Sequence, residues 1–365
     1  MNVKSPISTE IYKLRKKQFQ NHEGKTGLVA TWTEETPLIS KRGMPVLSQV
    51  IILSTRGCEW ALSDHGGCSM CGYINDSSRR DIDQSLILKQ ITKALDKHAP
   101  PDNKTVRVVK IFNSGSFFDD KELYPQTRHQ ILRQLAKNPE IQEVAVESRP
   151  EYINEEKLNA ALDILGEKKL IIGIGVESTS DRIRIECINK GFTFYDIKKA
   201  TSLIIDRGAF VKAYLLLKPP FLTEIESLWD TYRSVKVLNE LKVQAISLNP
   251  CTVQKGTLVE KLFRRGQYRP PWLWTVLESL KNNLQKFPHI KILCEPTGVG
   301  SLRGSRNCGK CDKVVAQIIK EISLHQKITV EEPSCGCKDI WREVINLEDQ
   351  VQETLIGLQL IPKLF

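Results

Sequence analysis

Three cysteines, Cys58, Cys68 and Cys71, fall within the stretch "STRGCEWALSDHGGCSMCGYIN" at 54–75. Clustered thiols in a reducing compartment are metal ligands or catalysts more often than disulfides. A structural zinc ion is closed by four ligands, and only His65 stands near enough in sequence to join the three thiols as a fourth. A cubane [4Fe-4S] cluster is normally held by four thiolates. Held by three, it keeps one iron able to bind something else, so three cysteines on one loop read as a metal centre with an open position. A zinc site of these three thiols with His65, and plain buried thiols, are the alternatives.

A second group, "NCGKC" (307–311) and "SCGCK" (334–338), has the pattern C-x2-C … C-x-C and supplies Cys308, Cys311, Cys335 and Cys337. Four thiolates from two knuckles suit tetrahedral zinc, and an auxiliary iron–sulfur cluster would use the same four. Either would staple a terminal module that reads as helix-poor and short of a core of its own. The scattered Cys187, Cys251 and Cys294 read as small buried hydrophobes. Around the knuckles stand Arg303, Arg306 and Lys310, and "KLFRRGQYRPPWLW" (261–274) interleaves Arg264, Arg265 and Arg269 with aromatic residues. Cations for phosphates and aromatic faces for unstacked bases are what RNA recognition uses. The bland reading is a solvated basic face beside a buried aromatic helix.

These groups need elements to hold them. Residues 1–44 read as an N-terminal extension: a basic helical piece, "STEIYKLRKKQFQNH", then irregular sequence. From there strands at 45–55, 105–113, 142–148, 169–178, 209–217 and 243–249 alternate with helical spacing, and a possible seventh strand lies at 289–295. Strands nearly continuous in Val, Ile and Leu are covered on both faces. The fold expected is α/β, a partial (β/α)6 TIM-like barrel over 45–260, with a C-terminal basic module and its four-cysteine metal site over 261–365. Unusual polar clusters follow the strands, where such barrels carry their active sites.

Composition adds bounds. The chain is 41% hydrophobic and 26% charged, as for an ordinary soluble protein. Its 53 Lys and Arg against 43 Asp and Glu leave +10, which fits an anionic partner without establishing one. No apolar run approaches the ~20 residues of a membrane span. The N-terminus lacks the pattern of a secretory signal, so a cytoplasmic protein without membrane contact is expected.

Cysteines placed after the first strand of a partial barrel resemble the radical S-adenosylmethionine (SAM) superfamily. The common spacing there is C-x3-C-x2-C, and this chain has C-x9-C-x2-C, with "EWALSDHGG" inserted. The resemblance implies a [4Fe-4S] cluster on Cys58, Cys68 and Cys71, with SAM chelated at the open iron. Met70 holds the position beside the adenine that is usually aromatic, and Tyr73 is the substitute. "NSGSFFDD", through Asn113, Ser114, Gly115 and Ser116, resembles the element that receives the SAM amino group. "VESRPE" and "GIGVESTSDRIRIECINKGFT" resemble the tRNA-modifying branch that includes the Elongator catalytic subunit. That likeness implies Glu147, Glu177 and Ser178 near the ribose and Arg149 on the SAM carboxylate.

"GGCSMCGY", "FNSGSFFD", "ESRPEYI" and "NPCTVQKGTLVEKLFRRGQYRPPWLW", with the terminal knuckles, resemble the archaeal radical SAM subunit of archaeosine synthase across about residues 30–340. This implies a lyase-type reaction on tRNA: radical C–N cleavage of a lysine-modified 7-cyano-7-deazaguanosine in the D-arm, leaving archaeosine. A transglycosylase-like enzyme that transfers the lysine would be a partner, and an electron donor would be external. Lys212 or Lys218 would meet the substrate carboxylate and Asn249 a polar substrate group. Three readings compete. An Elongator-like enzyme lacks its acetyltransferase domain here, and a methylthiotransferase lacks its extra N-terminal cysteine domain. The third is a non-catalytic metal-bound RNA-binding module.

Overall fold

Six segments nearly unbroken in Val, Ile and Leu form six adjacent parallel strands: β2 (Val46–Ile52), β3 (Val106–Phe112), β4 (Glu143–Glu147), β5 (Lys169–Glu177), β6 (Phe210–Leu217) and β7 (Ala245–Pro250). The computed structural model describes residues 5–21, 23–97, 105–328 and 330–350. A short β8 (Lys291–Leu293) extends the parallel array, and β1 (Ala30–Thr36) pairs antiparallel with β2 at the other edge. The sheet order is β1 through β8 in sequence, the order of a barrel wound by successive crossovers. The expected α/β partial barrel is present.

β1 corrects one expectation. Its sequence "ATWTEET" read as irregular, yet Trp32 pairs with Val50 and Thr36 with Val46. An edge strand exposes much of its surface, so it needs no apolar run; β-branched threonines suffice to keep it extended.

Side-chain alternation divides the sheet into two faces. Ile51, Val109, Val144, Ile172, Val211 and Ile246 lie at 1% exposure or less within one apolar core under the helices. The opposite positions carry Lys110, Glu147, Glu177, Lys212, Tyr214 and Asn249, so the lumen is polar. The crossover helices are α3 (Gln84–Lys97), α4 (Pro125–Ala136), α5 (Glu155–Leu165), α6 (Phe194–Asp206) and α7 (Glu224–Glu240). Asn154 caps α5, and Thr193 with Asp196 and Thr223 with Glu226 form capping boxes on α6 and α7.

The region after β7 is helical, and around the terminal cysteines this departs from the helix-poor reading. It holds α8 (Leu258–Arg264), α9 (Leu273–Lys286), α10 (Asp312–His325) and α11 (Cys337–Gln350). Trp274, Val315, Ile319, Ile322 and Trp341 belong to the same apolar core as the strands, so that core runs unbroken past residue 260. At the other end, α1 (Ser8–Asn21) is the expected basic helix. No helix among the described residues is long and apolar enough to cross a membrane.

Candidate active site

The cysteine loop leaves β2 and lies over the carbonyl end of the sheet. Cys58 opens a single helical turn, α2 (Glu59–Leu62), its carbonyl accepting from the Ala61 and Leu62 amides at 3.0 and 3.1 Å. The inserted residues are folded rather than looped out. Trp60 stacks on His65 at 4.3 Å and donates to the Asn189 carbonyl at 2.8 Å. Asn189 Nδ2 returns a bond to the Gly67 carbonyl at 2.8 Å. Gly66, at φ +73°, lies so close to α1 that a Cβ would stand 2.7 Å from the Tyr12 backbone. Ser69 is held by the carbonyls of Cys187 and Ile188, both at 2.8 Å, from the π-helical turn Ile183–Ile188. Packed between α1 and that turn, the nine-residue insertion brings Cys58 back beside Cys68 and Cys71.

Burial pushes all three thiols up, and each also senses neighbouring thiols of the set. The four terminal cysteines form the one group among the described residues whose ligand atoms all lie within 4.8 Å; the three thiols of this loop are more loosely gathered. A polynuclear cluster holds its thiolates further apart than one ion does. His65 lies flat on Trp60 with Nε2 3.6 Å from Asp64.

Three cations surround these thiols. Arg149 senses Cys58 and Cys68, Lys190 senses Cys68, and Arg15 of α1 senses all three. Arg149 lies over the Phe192 ring at 4.8 Å, donates to Glu151 at 2.6 Å and reaches the Lys190 carbonyl at 3.2 Å. Lys190 pairs with Glu177 at 2.7 Å. Glu177 sits at φ +62°, a conformation a non-glycine residue adopts only when its surroundings impose it.

The loop after β3 approaches the thiols most closely. A methyl group on Gly115 would stand 2.9 Å from the Cys58 Cα and 1.9 Å from Glu122 Oε2, so only glycine fits. Ser114 donates to the Tyr73 carbonyl at 2.9 Å, and Ser116 Oγ accepts the Arg149 amide at 3.0 Å. Glu122, which the sequence reading passed over, fastens this loop by accepting from the Ser116 amide at 2.7 Å and from the Thr55 hydroxyl. Burial raises its carboxyl to about 7. Asn113 is buried beside the Glu122 carboxyl, with neither amide atom in a well-formed hydrogen bond. An unpartnered buried amide costs free energy unless a ligand completes it.

Other expected contacts divide. Tyr73 stands 61% exposed at the rim, its ring open to a partner. Met70 packs with Cys68 against the Leu216, Cys251 and Tyr268 cluster. The Ser178 hydroxyl turns away from the thiols and donates to Asp230 at 2.7 Å, so its side chain is spent within the scaffold. Glu147 faces the lumen beside Tyr214, its carboxyl raised to about 7 by burial. Lys212 shares that space over the Tyr214 ring at 5.0 Å and falls to about 8 through burial and nearby Lys110. Asn249, on the lumen face of β7, accepts from Ser247 at 3.2 Å. Lys218, at the exit of β6, is buried against Glu224 at 2.6 Å.

The terminal cysteines form a compact tetrad. Sγ distances are 3.6 Å for Cys308–Cys335, 3.6 Å for Cys311–Cys337 and 4.0 Å for Cys308–Cys311. The Lys310 and Cys311 amides draw the Cys308 thiol down to about 7. The Trp274 indole donates to Cys337 at 3.2 Å and Asn307 to Cys311 at 3.4 Å. Four collected thiols with donors behind them suit a closed tetrahedral ion. Of the arginines expected on RNA, Arg269 stacks on Trp272 at 4.2 Å and holds the Arg306 carbonyl at 2.9 Å. Arg303 and Arg264 both pair with Glu260, at 2.9 and 3.0 Å. Arg264 nevertheless exposes much of its side chain, and Arg265 and Lys310 are exposed. Lys13, Lys16 and Lys17 lie exposed on α1; the sequence showed them only as part of a basic helix.

No family model matches the chain. The archaeosine synthase subunit beta of Methanosarcina acetivorans is 39% identical to it over 321 residues, 88% of this chain and 90% of that one. The subunit of the same name from Thermococcus kodakarensis is 36% identical over 316 residues, 86% of this chain and 95% of that one. Among solved structures, Methanocaldococcus infernus Elp3 lacking residues 1–46 aligns with a TM-score of 0.50 at 16% identity, over 67% of this chain and 62% of that one. That likeness is one of fold. The two sequence matches, each spanning nearly the whole of both chains, go further: this chain belongs to the archaeosine synthase subunit beta family.

Proposed function

We propose that this chain is a radical SAM enzyme that completes archaeosine in tRNA, cleaving a C–N bond of the lysine carried by a 7-cyano-7-deazaguanosine base. The observation that carries this reading is the pinned three-thiol loop with Gly115 pressed against Cys58, in a chain 39% identical to an archaeosine synthase subunit. The residues fit the cofactors. Cys58, Cys68 and Cys71 would hold a [4Fe-4S] cluster wider than a single ion, and Asn113 has amide atoms awaiting a polar ligand such as the amino end of SAM. Bound together, cluster and SAM supply a 5′-deoxyadenosyl radical able to take a hydrogen atom from the substrate.

The chain's own residues bind, orient and exclude water. Arg149 and Lys190 offset thiolate charge at these half-buried thiols. Tyr73 offers an open ring at the rim where an adenine could stack. Lys212 is the lumen cation for the lysyl carboxylate, which would relieve the burial that depresses its ammonium. Asn249 offers an amide on the same face. Arg264, Arg265 and Lys310 supply charge for tRNA phosphates, and the α1 lysines extend that surface. The transglycosylase-like partner and the external electron donor follow from the proposed reaction, which needs a lysine-bearing base and an electron. The terminal tetrad would hold zinc as a structural ion.

The test is anaerobic reconstitution with iron and sulfide, then SAM and dithionite with lysine-modified tRNA. Formation of 5′-deoxyadenosine and archaeosine, read by mass spectrometry, is expected. A reconstituted protein that yields no 5′-deoxyadenosine would be an RNA-binding module instead. Normal archaeosine in tRNA from a deletion strain would refute the substrate.

A further inference from the structure

Arg15 lies on α1, outside the barrel, yet is 3% exposed. Its Nε donates to the Gly66 carbonyl at 3.0 Å and its Nη2 to the Cys71 carbonyl at 2.7 Å. These two bonds span the last part of the cysteine loop, from the returning glycines to the third thiol. Nη1, bonded to the same guanidinium carbon as the nitrogen holding Cys71, is sealed from solvent and has no partner.

Its charge is balanced unlike that of other buried arginines. Arg184 pairs with Asp181, Arg128 with Asp120 and Arg149 with Glu151. Among the described residues no carboxylate pairs with Arg15; the acidic groups its charge meets are the thiols of Cys71, Cys68 and Cys58. A buried cation with a free donor and no carboxylate is costly unless something negative completes it. A loop tie alone would not require it, because the two carbonyl bonds leave that donor unused.

We infer that Arg15 is a positioning residue for the iron–sulfur centre: it ties the cysteine loop to α1, donates from Nη1 to the cluster, and favours the reduced cluster by its positive charge. This rests on the functional reading above. Reduction adds an electron beside a fixed cation, so losing the cation moves the reduction potential to a more negative value. Lysine keeps the charge but replaces the planar fork by a point, and cannot hold both carbonyls as the guanidinium does.

The full chain, as wild type, R15K and R15Q, is reconstituted anaerobically and titrated by EPR-monitored reduction, with iron release to a chelator followed in parallel. Expected are a shift to more negative potential in R15Q, a potential near wild type in R15K, and release about tenfold faster or more in both. R15Q with unchanged potential overturns the role given to Arg15, even if iron escapes faster. Pulsed EPR on nitrogen-15 arginine-labelled protein covers the case in which R15Q does not fold. A coupled arginine nitrogen in the wild type that disappears in R15K supports the inference, and one that persists overturns it. A wild-type chain that takes up no iron overturns the functional reading itself, and is thereby distinguished from failure in the variants alone.

Discussion

The two groups of cysteines solve different problems. At the barrel mouth three thiols are spread over a long loop and are ringed by Arg15, Arg149 and Lys190 from three separate parts of the chain. At the C-terminal end four thiols are drawn within 4.8 Å, with the Trp274 and Asn307 donors behind two of them and the buried Asp312 carboxylate accepting from the Asn307 and Gly309 amides. Cations gather round the first group, whereas uncharged donors and one buried carboxylate back the second. Thiol number alone does not make this distinction; the spread of the sulfurs and the charge behind them do.

The largest effect that could break the comparison is at the mouth. Cys68→Ala should abolish both iron binding at that loop and 5′-deoxyadenosine formation while leaving metal at the tetrad, as read by elemental analysis. Loss of metal from both would mean the two groups are not independent. Next, Cys311→Ser should empty the tetrad and lower the melting temperature by many degrees, since binding free energy on the order of 10 kcal/mol attaches to a structural zinc ion. The folded fraction should still cleave SAM. Loss of iron instead of zinc would make the tetrad an auxiliary cluster.

Smaller effects sharpen the picture. Lys212→Met should raise KM for modified tRNA by about tenfold or more, the worth of a charge-assisted hydrogen bond, with iron content unchanged; an unchanged KM would remove Lys212 from the substrate. Replacing Arg264 and Arg265 by Glu should weaken tRNA binding uniformly and lower the salt slope by roughly 0.7–0.9 per lost phosphate contact, as measured by binding between low and moderate salt. The smallest effect concerns Glu122, whose carboxyl rises from its ordinary 4.5 to about 7 through burial. An acid raised in the folded state contributes stability below pH 4.5 that is lost as pH climbs through about 7. Glu122→Gln should flatten that decline in the metal-free protein's melting temperature, and an undiminished slope would assign it to other groups.

Much of the scaffold was legible in the chain because parallel strands covered on both faces must be apolar throughout. β1 was not, since an edge strand exposes much of itself and carries threonine and glutamate instead. The polar clusters after the strands were legible too: Gly115 and Arg149 lie beside Cys58. The fates of individual charges were not. Lys218 met Glu224, Arg303 met Glu260, and Ser178 met Asp230, pairs fixed by how helices pack rather than by spacing along the chain.

Residue order alone determined the strand-and-helix alternation and the two sets of thiols, because hydrophobic period and ligand spacing are local properties. Only the tertiary structure decided that the nine inserted residues fold against α1, that Arg15 is buried among the thiols, and that the terminal helices share the barrel's core. Those outcomes depend on surfaces brought together from distant parts of the chain, where burial and charge are settled by three-dimensional neighbours.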